Sequence, residues 1–308
     1  KLNMTGGLHN QYTILFSGYS EIMSENADIF FHGHALDYMF QGMYLPTTQY
    51  KIFGQKTYFK KFVDVNNITD FAEYFINNAP FRTWKVKVVD YLLPQYKDNM
   101  LSELHNKISS IVEEGKKISN DNYDLWEYLM THPPSRHYSQ PDIIGMGANS
   151  EQRKIANDND LFDFYTSLPL QHRLYARVMR GALKKLSPEF SNIISANTNF
   201  KIDASPFRLT MHFTKLKLLR IITRNSKYRH PCAKDRTWPD IDHEVRLRPK
   251  LREAIINLPH SEKLRDTMPF FDFKKLERDI DFWMNKNQPG GGLFLTSILT
   301  IDNLVKRF

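Results

Sequence analysis

One short apolar run, Ile29-Phe30-Phe31, enters a turn at Gly33 in a chain whose other hydrophobic residues recur mostly at helical spacing. A lone strand can neither pair its own backbone N–H and C=O groups nor bury its own face. Residues 28–32 therefore predict a buried strand whose sheet partners come from an upstream segment or another chain. The sequence thus points to a predominantly α-helical fold carrying an incomplete α/β element.

The helical part is read from period. Residues 99–117 place Met100, Leu101, Leu104, Ile108, Ile111 and Val112 on one face, and residues 121–130 repeat the pattern with Leu125, Trp126 and Leu129. Further helices are expected at 159–167, 173–186, 207–223, 244–258, 273–286 and 293–308. Pro133, Pro134, Pro141, Gly145 and Gly147 mark 131–150 as a connection, and residues 228–239 as another; Gly290-Gly291-Gly292 separates the last two helices. There is no fixed-period repeat and no low-complexity tract. Residues 1–60 form the end of the sheet with its turn and helix, and 61–308 a helical body.

At 308 residues with 41% hydrophobic side chains, the chain can bury a large core. Its longest apolar runs fall far short of the roughly 20 residues that span a bilayer. A single cysteine, Cys232, excludes an internal disulfide framework and fits a reducing compartment, so the cytoplasm is expected. The net charge of +8 is concentrated at 215–236, but Lys215, Lys217 and Arg220 fall on the solvated face of an amphipathic helix and no nucleic-acid motif accompanies them.

Candidate chemistry lies at the strand end, His32-Gly33-His34-Ala35-Leu36-Asp37-Tyr38-Met39-Phe40-Gln41-Gly42-Met43. The carboxyl edge of an open α/β sheet is where ligands bind. This window resembles the asparagine synthetase family pattern Ser-Gly-Asp/Glu-Gly-x-Asp-Glu-x-Phe-Gly-Gly-Tyr, with Gly33, Asp37, Phe40 and Gly42 in register. His34 stands at the family's first acid and Tyr38 at the second acid of its Asp-Glu pair. A second stretch, Glu151-Gln152-Arg153-Lys154-Ile155-Ala156-Asn157-Asp158-Asn159-Asp160-Leu161, is similar to the family's Glu-x-Arg-x-Pro-Phe-Leu-Asp-x-x-Leu. A third, Ser167-Leu168-Pro169 followed by Arg173, Arg177 and Arg180-Gly181-Ala182-Leu183, is similar to its Ser-Leu-Pro and Lys-x-x-Leu-Arg-x-Ala-Leu, with Ala176 at the lysine position.

The resemblance implies the later part of a PP-loop ATPase (adenine nucleotide α-hydrolase-like) synthetase domain, which joins a carboxylate to an amine through an acyl-adenylate, using ATP and Mg²⁺. It implies a metal-binding Asp37, catalytic His34 and Tyr38 beside it, and nucleotide-binding Gly33, Gly42, Arg177 and Arg180. Glu151, Arg153 and Asp158 are expected to form one polar network, with Arg153 as a buried charge. The family's Ser-Gly-Gly-x-Asp-Ser phosphate loop and its glutamine-hydrolysing cysteine have no counterpart here. An upstream segment or second subunit is therefore expected to carry the phosphate loop. Two other readings stay open: a non-catalytic binding or scaffolding module on the same fold, and a metal site at His32-x-His34-x-x-Asp37.

Overall fold

Backbone pairing begins where the apolar run lies. In a computed structural model of the protein, residues 22, 24–33, 35–52, 55–79, 86–134, 151–194, 200–202, 204–205, 207–212, 214–215, 241–285 and 291–307 are described. Strand β1 (Ile29–His32) is followed by a short helix, α1 (Leu36–Phe40), then by an antiparallel hairpin of β2 (Thr47–Ile52) and β3 (Gln55–Phe62). The hairpin was not expected from the sequence, and its second strand crosses position 60, where the sheet end was expected to give way to the helical body.

Helices α2 (Phe71–Asn78), α3 (Pro94–Lys116) and α4 (Asn122–Pro134) follow, α3 packing on both of the others, and α4 meets the end of the hairpin where the Phe62 and Tyr123 rings lie edge-on at 5.9 Å. Asp70 caps α2 by accepting the Glu73 backbone N–H at 2.8 Å. Pro94 starts α3 with its φ already helical. Ile108, Ile111 and Val112 are buried at three- and four-residue spacing, whereas Leu104, expected on the same face, is exposed. Gly115 lets α4 close in, since a Cβ there would meet Leu125 and Tyr128 at 2.9 Å. Phe75 meets Trp126 edge-on at 5.0 Å, and the cluster around them takes in Tyr38, Tyr44 and Val65. Helix α4 continues through Pro133 and Pro134, residues whose type points to a connection.

Strand β4 (Glu151–Lys154) pairs with β1 in parallel, Ile29 opposite Glu151 and His32 opposite Lys154. This corrects the expectation that the partner lies outside the chain. Glu-Gln-Arg-Lys has no apolar pattern, so β4 reads as loop in sequence. The expected burial of the strand is also corrected: Phe31 is 73% exposed.

Beyond β4, Asp158 caps α5 (Asn159–Ser167), a 3-10 turn spans Leu170–Arg173, and α6 (Arg177–Leu186) and α7 (Pro188–Ser191) follow. The single helix expected at 173–186 is interrupted because Tyr175 and Ala176 adopt positive φ. A short helical turn lies at 207–212. Cys232 and residues 216–240, including most of the basic run, lie outside the described residues.

The C-terminal layer holds α8 (Ile241–Leu247), α9 (Pro249–Asn257), α10 (Glu262–Thr267), α11 (Phe273–Asn285) and α12 (Gly292–Val305). Pro249 splits the helix expected at 244–258, starting α9 from an extended Arg248. Leu264, Leu276, Leu295 and Ile298 are buried in one core with Tyr91, Phe271 and Phe294. The segment at Tyr91 ties this layer to the rest: Leu93 donates to the Phe270 carbonyl at 2.9 Å and Asp272 to the Tyr91 carbonyl at 2.7 Å. Among the described residues the protein is predominantly α-helical, with two two-stranded sheets. None of their helices is long and apolar enough to cross a membrane.

Candidate functional site

Three stretches separated in sequence meet at the carboxyl ends of β1 and β4. Met39 and Phe40 of α1 pack with Ala156 after β4, with Tyr165 of α5, with Leu168 of the third stretch, and with Val178 of α6. The Ala176 N–H donates to the Phe40 carbonyl at 2.7 Å, so the end of α1 is tied to the start of α6. The helix bearing Asp37 therefore adjoins the helix bearing Arg177 and Arg180.

Backbone strain is concentrated at this junction. Ala35 has φ 75°, Tyr175 60° and Ala176 54°, values that cost a non-glycine residue of order 1–2 kcal/mol. Tyr175 is held there by its hydroxyl, which accepts the Lys60 N–H at 2.5 Å and donates to the Lys60 carbonyl at 3.2 Å. Left-handed residues of this kind persist where the surrounding structure over-determines them, and they gather at functional sites.

Beneath the junction lies a buried charge network. Glu127 of α4 receives a hydrogen bond from Arg173 Nη1 on one carboxylate oxygen and from the Tyr165 hydroxyl on the other. Arg173 also donates from Nε to the Leu168 carbonyl at 2.9 Å and from Nη2 to the Thr166 carbonyl at 2.8 Å. Those carbonyls close α5, where a cation also meets the negative end of the helix dipole. The guanidinium lies over the Tyr165 ring, 4.7 Å from its centroid. Burial pushes the Glu127 carboxyl above the usual carboxylate range, and Tyr165 and Arg173 draw it part of the way back. Burial raises the Tyr165 phenol, and the facing Glu127 raises it further. Every polar atom of the Arg173 and Glu127 head groups named here points at a protein partner, so the network fixes the floor of the junction.

The expected site residues fare differently. Gly33 is exposed at the strand end and its carbonyl accepts the Leu36 N–H at 3.1 Å. His34 lies outside the described residues. Asp37 is on α1 and its side chain is outside the described set, so the His32-His34-Asp37 metal arrangement falls outside it too; among the described residues no three His, Cys, Asp or Glu gather. Tyr38, expected at the site, is 6% exposed and stacked on Tyr44 with centroids 4.6 Å apart, which makes it part of the core. Gly42, expected to approach the nucleotide, is buried at φ 65° against Leu174, whose Cδ2 lies 2.4 Å from where a Cβ would stand. Its role is a close turn.

Arg177 is exposed, 5.7 Å from the Tyr175 ring, and Arg180 is half-buried one turn on. Arg153 pairs with Glu151 at 2.5 Å on the surface, and Asp158 instead accepts the Leu161 N–H at 2.9 Å, so the single network expected of these three is two separate contacts.

Lys154 was not singled out in the sequence. It ends β4 opposite His32, at the carboxyl edge of the sheet, and burial lowers its ammonium pKa. The signal was its place in the second stretch, one residue after Arg153. No family model matches the chain, and no curated protein or solved structure matches it either.

Proposed function

We propose that this chain is the C-terminal part of an ATP-dependent amide-forming synthetase of the asparagine synthetase type, on a PP-loop ATPase fold. The observation that supports it is convergence. The first stretch lies far in sequence from the second and third, which follow one another closely, yet the strand that leads into the first pairs in parallel with the strand that opens the second, and all three share one small core. Nothing in local propensity requires that.

In this reading a substrate carboxylate oxygen attacks the α-phosphorus of ATP, pyrophosphate leaves, and an amine nitrogen then attacks the acyl carbon and displaces AMP. Arg177, Arg180 and Lys154 supply positive charge for the phosphates at the strand ends. His34 takes the proton from the incoming amine, a role imidazole fills as a side chain able to gain and lose a proton in the neutral range. Gly33 leaves the strand end open. Asp37 would hold Mg²⁺, which usually takes one or two carboxylates plus phosphate oxygens and there offsets phosphate charge. The placement of Asp37 on α1, beside a helix bearing two arginines, fits that demand. The phosphate loop comes from an upstream segment or second subunit, and the carboxylate substrate is small or polymeric.

A second reading is favoured by one observation. Tyr38 occupies the position of a family acid and is stacked in the core, as in a binding or scaffolding module that has kept the body and lost an acid.

Calorimetry on the complete assembly separates the two. The synthetase binds ATP in a Mg²⁺-dependent way that Asp37→Asn weakens about tenfold or more, as expected for loss of a charged contact. ATP binding indifferent to Asp37→Asn, or no ATP binding at all, overturns the synthetase and leaves the scaffold.

A further inference from the structure

We propose that the face formed by α6, α7 and the helical turn at 207–212 docks on an anionic lipid bilayer surface, a role independent of the synthetase reading. Helix α6 carries Met179, Ala182, Leu183 and Leu186 at the spacing of a single stripe, with Arg177, Arg180 and Lys184 on another. A helix so divided normally buries its apolar stripe, yet no residue of α6 is buried. Leu186 is 82% exposed, and the stripe runs on into an exposed Phe190 and Ile193.

The chain then folds back upon this segment. Ile194 and Lys201 form an antiparallel bridge, and Lys201 Nζ donates to Asn192 Oδ1 at 3.0 Å. That return brings up the turn at 207–212, whose Phe207 and Met211 are exposed one helical turn apart. Exposed apolar side chains thus stand on three short elements that the Ile194–Lys201 bridge brings near one another.

Charge says what kind of surface it meets. Lys184 and Lys185 sit in the last turn of α6, with Lys201, Arg208 and Lys215 on the returning segment. From 177 to 215 the sequence sets only two acids, Glu189 and Asp203, the latter outside the described residues, against Arg177, Arg180, Lys184, Lys185, Lys201, Arg208 and Lys215. Apolar side chains rimmed by cations are the pattern of an element lying at the headgroup boundary of an anionic membrane. A protein partner is less well matched. Leu186 stands clear of its neighbours, so a rigid partner would need a cavity shaped to it, whereas acyl chains conform to any projection.

The test is sedimentation of the full chain with vesicles of phosphatidylcholine alone and of phosphatidylcholine mixed with phosphatidylserine. The protein is expected to pellet with the mixed vesicles only. Lys185→Ala with Arg208→Ala should lower the partition coefficient about 25-fold, roughly fivefold for each cation removed. Leu186→Ser with Phe190→Ser should abolish pelleting, with unchanged circular dichroism and melting temperature because both side chains are exposed. No binding to either vesicle overturns the proposal, as does equal binding to both. Concentration-dependent self-association that Leu186→Ser with Phe190→Ser removes would assign the face to a second copy and overturn it as well.

Discussion

In the layer at 241–305 the buried side chains are chiefly hydrocarbon and aromatic, and the buried acid is closely provided for: Asp302 receives the Ser261 hydroxyl and lies 2.7 Å from Lys306 Nζ. Where α1 meets α6, a Glu–Arg pair is buried, three non-glycine residues take positive φ, and Phe31 lies open. The first region packs its core by the ordinary rules of helix packing, its departures being exposed apolar side chains such as Leu247. The second breaks several within a short distance, and such departures are expected where a structure serves something other than its own stability.

The contrast is broken most directly at Arg173. Arg173→Ala leaves Glu127 in the interior without its cation and removes donors from two carbonyls closing α5. The expected loss is about 3–5 kcal/mol, read by denaturant unfolding near neutral pH. The pH dependence carries a sign. A carboxyl whose folded pKa is raised contributes stability that is fully present below its unfolded pKa and is lost as pH rises through the folded pKa. Burial already places Glu127 in that class, and without Arg173 it moves further up. The variant should therefore approach the wild type as pH falls through the acidic range. A gap independent of pH would mean that Glu127 does not respond to Arg173.

The orderly layer answers differently. Leu276 is fully buried on α11, and Leu276→Ala should cost about 3 kcal/mol through lost transfer energy and the cavity left behind. This loss should not change with pH, since the wall of the cavity is apolar. A pH-dependent loss at Leu276 would erase the contrast between the two regions.

Next comes Gly42→Ala. A side chain at φ 65° is strained by about 1–2 kcal/mol, and the Cβ would press on Leu174, which must give way. Melting should fall in step. An unchanged melting temperature would show that the turn relaxes at no cost and that Gly42 is free for the ligand-facing part expected of it.

How much of this was legible follows from what kind of signal each element leaves. Helices with a strong 3.6-residue period were readable: α5 falls on its expected residues, 159–167, and Leu125, Trp126 and Leu129 are buried as their spacing implies. The hairpin β2–β3 was missed because Lys51, Lys60 and Lys61 interrupt its apolar pattern, although the alternation of Thr, Tyr and Phe was a usable sign. Strand β4 was missed for want of any apolar residue. The Glu127–Arg173 pair joins positions 46 residues apart, which no local period can reveal. One trace was present, a lone acid inside the apolar run Leu125-Trp126-Glu127-Tyr128-Leu129-Met130. At the candidate site, the shared order of three short stretches was the legible part, while the burial of Tyr38 and Gly42 depended on contacts with Tyr44 and Leu174 that the sequence does not display.

The smallest effect tests how the second stretch holds α5. The sequence makes Arg153 a buried charge, whose loss would cost several kcal/mol, but the structure sets Arg153 and Glu151 on the surface with both side chains more than half exposed. Water screens such a pair, and holding two long side chains together costs entropy, so Arg153→Ala should change stability by less than about 1 kcal/mol. Asp158 is shorter and better placed. Its carboxylate accepts the Leu161 N–H at 2.9 Å, a donor that would otherwise have no partner within the helix. Asp158→Ala should therefore cost about 1 kcal/mol, and Asp158→Asn almost nothing, because Asn caps nearly as well as Asp. Added salt should leave the Asp158→Ala loss in place, since it arises from a hydrogen bond, and shrink whatever Arg153→Ala shows. Should Arg153→Ala prove the costlier of the two, the pair at β4 would be supporting the sheet edge in a way its exposure does not account for.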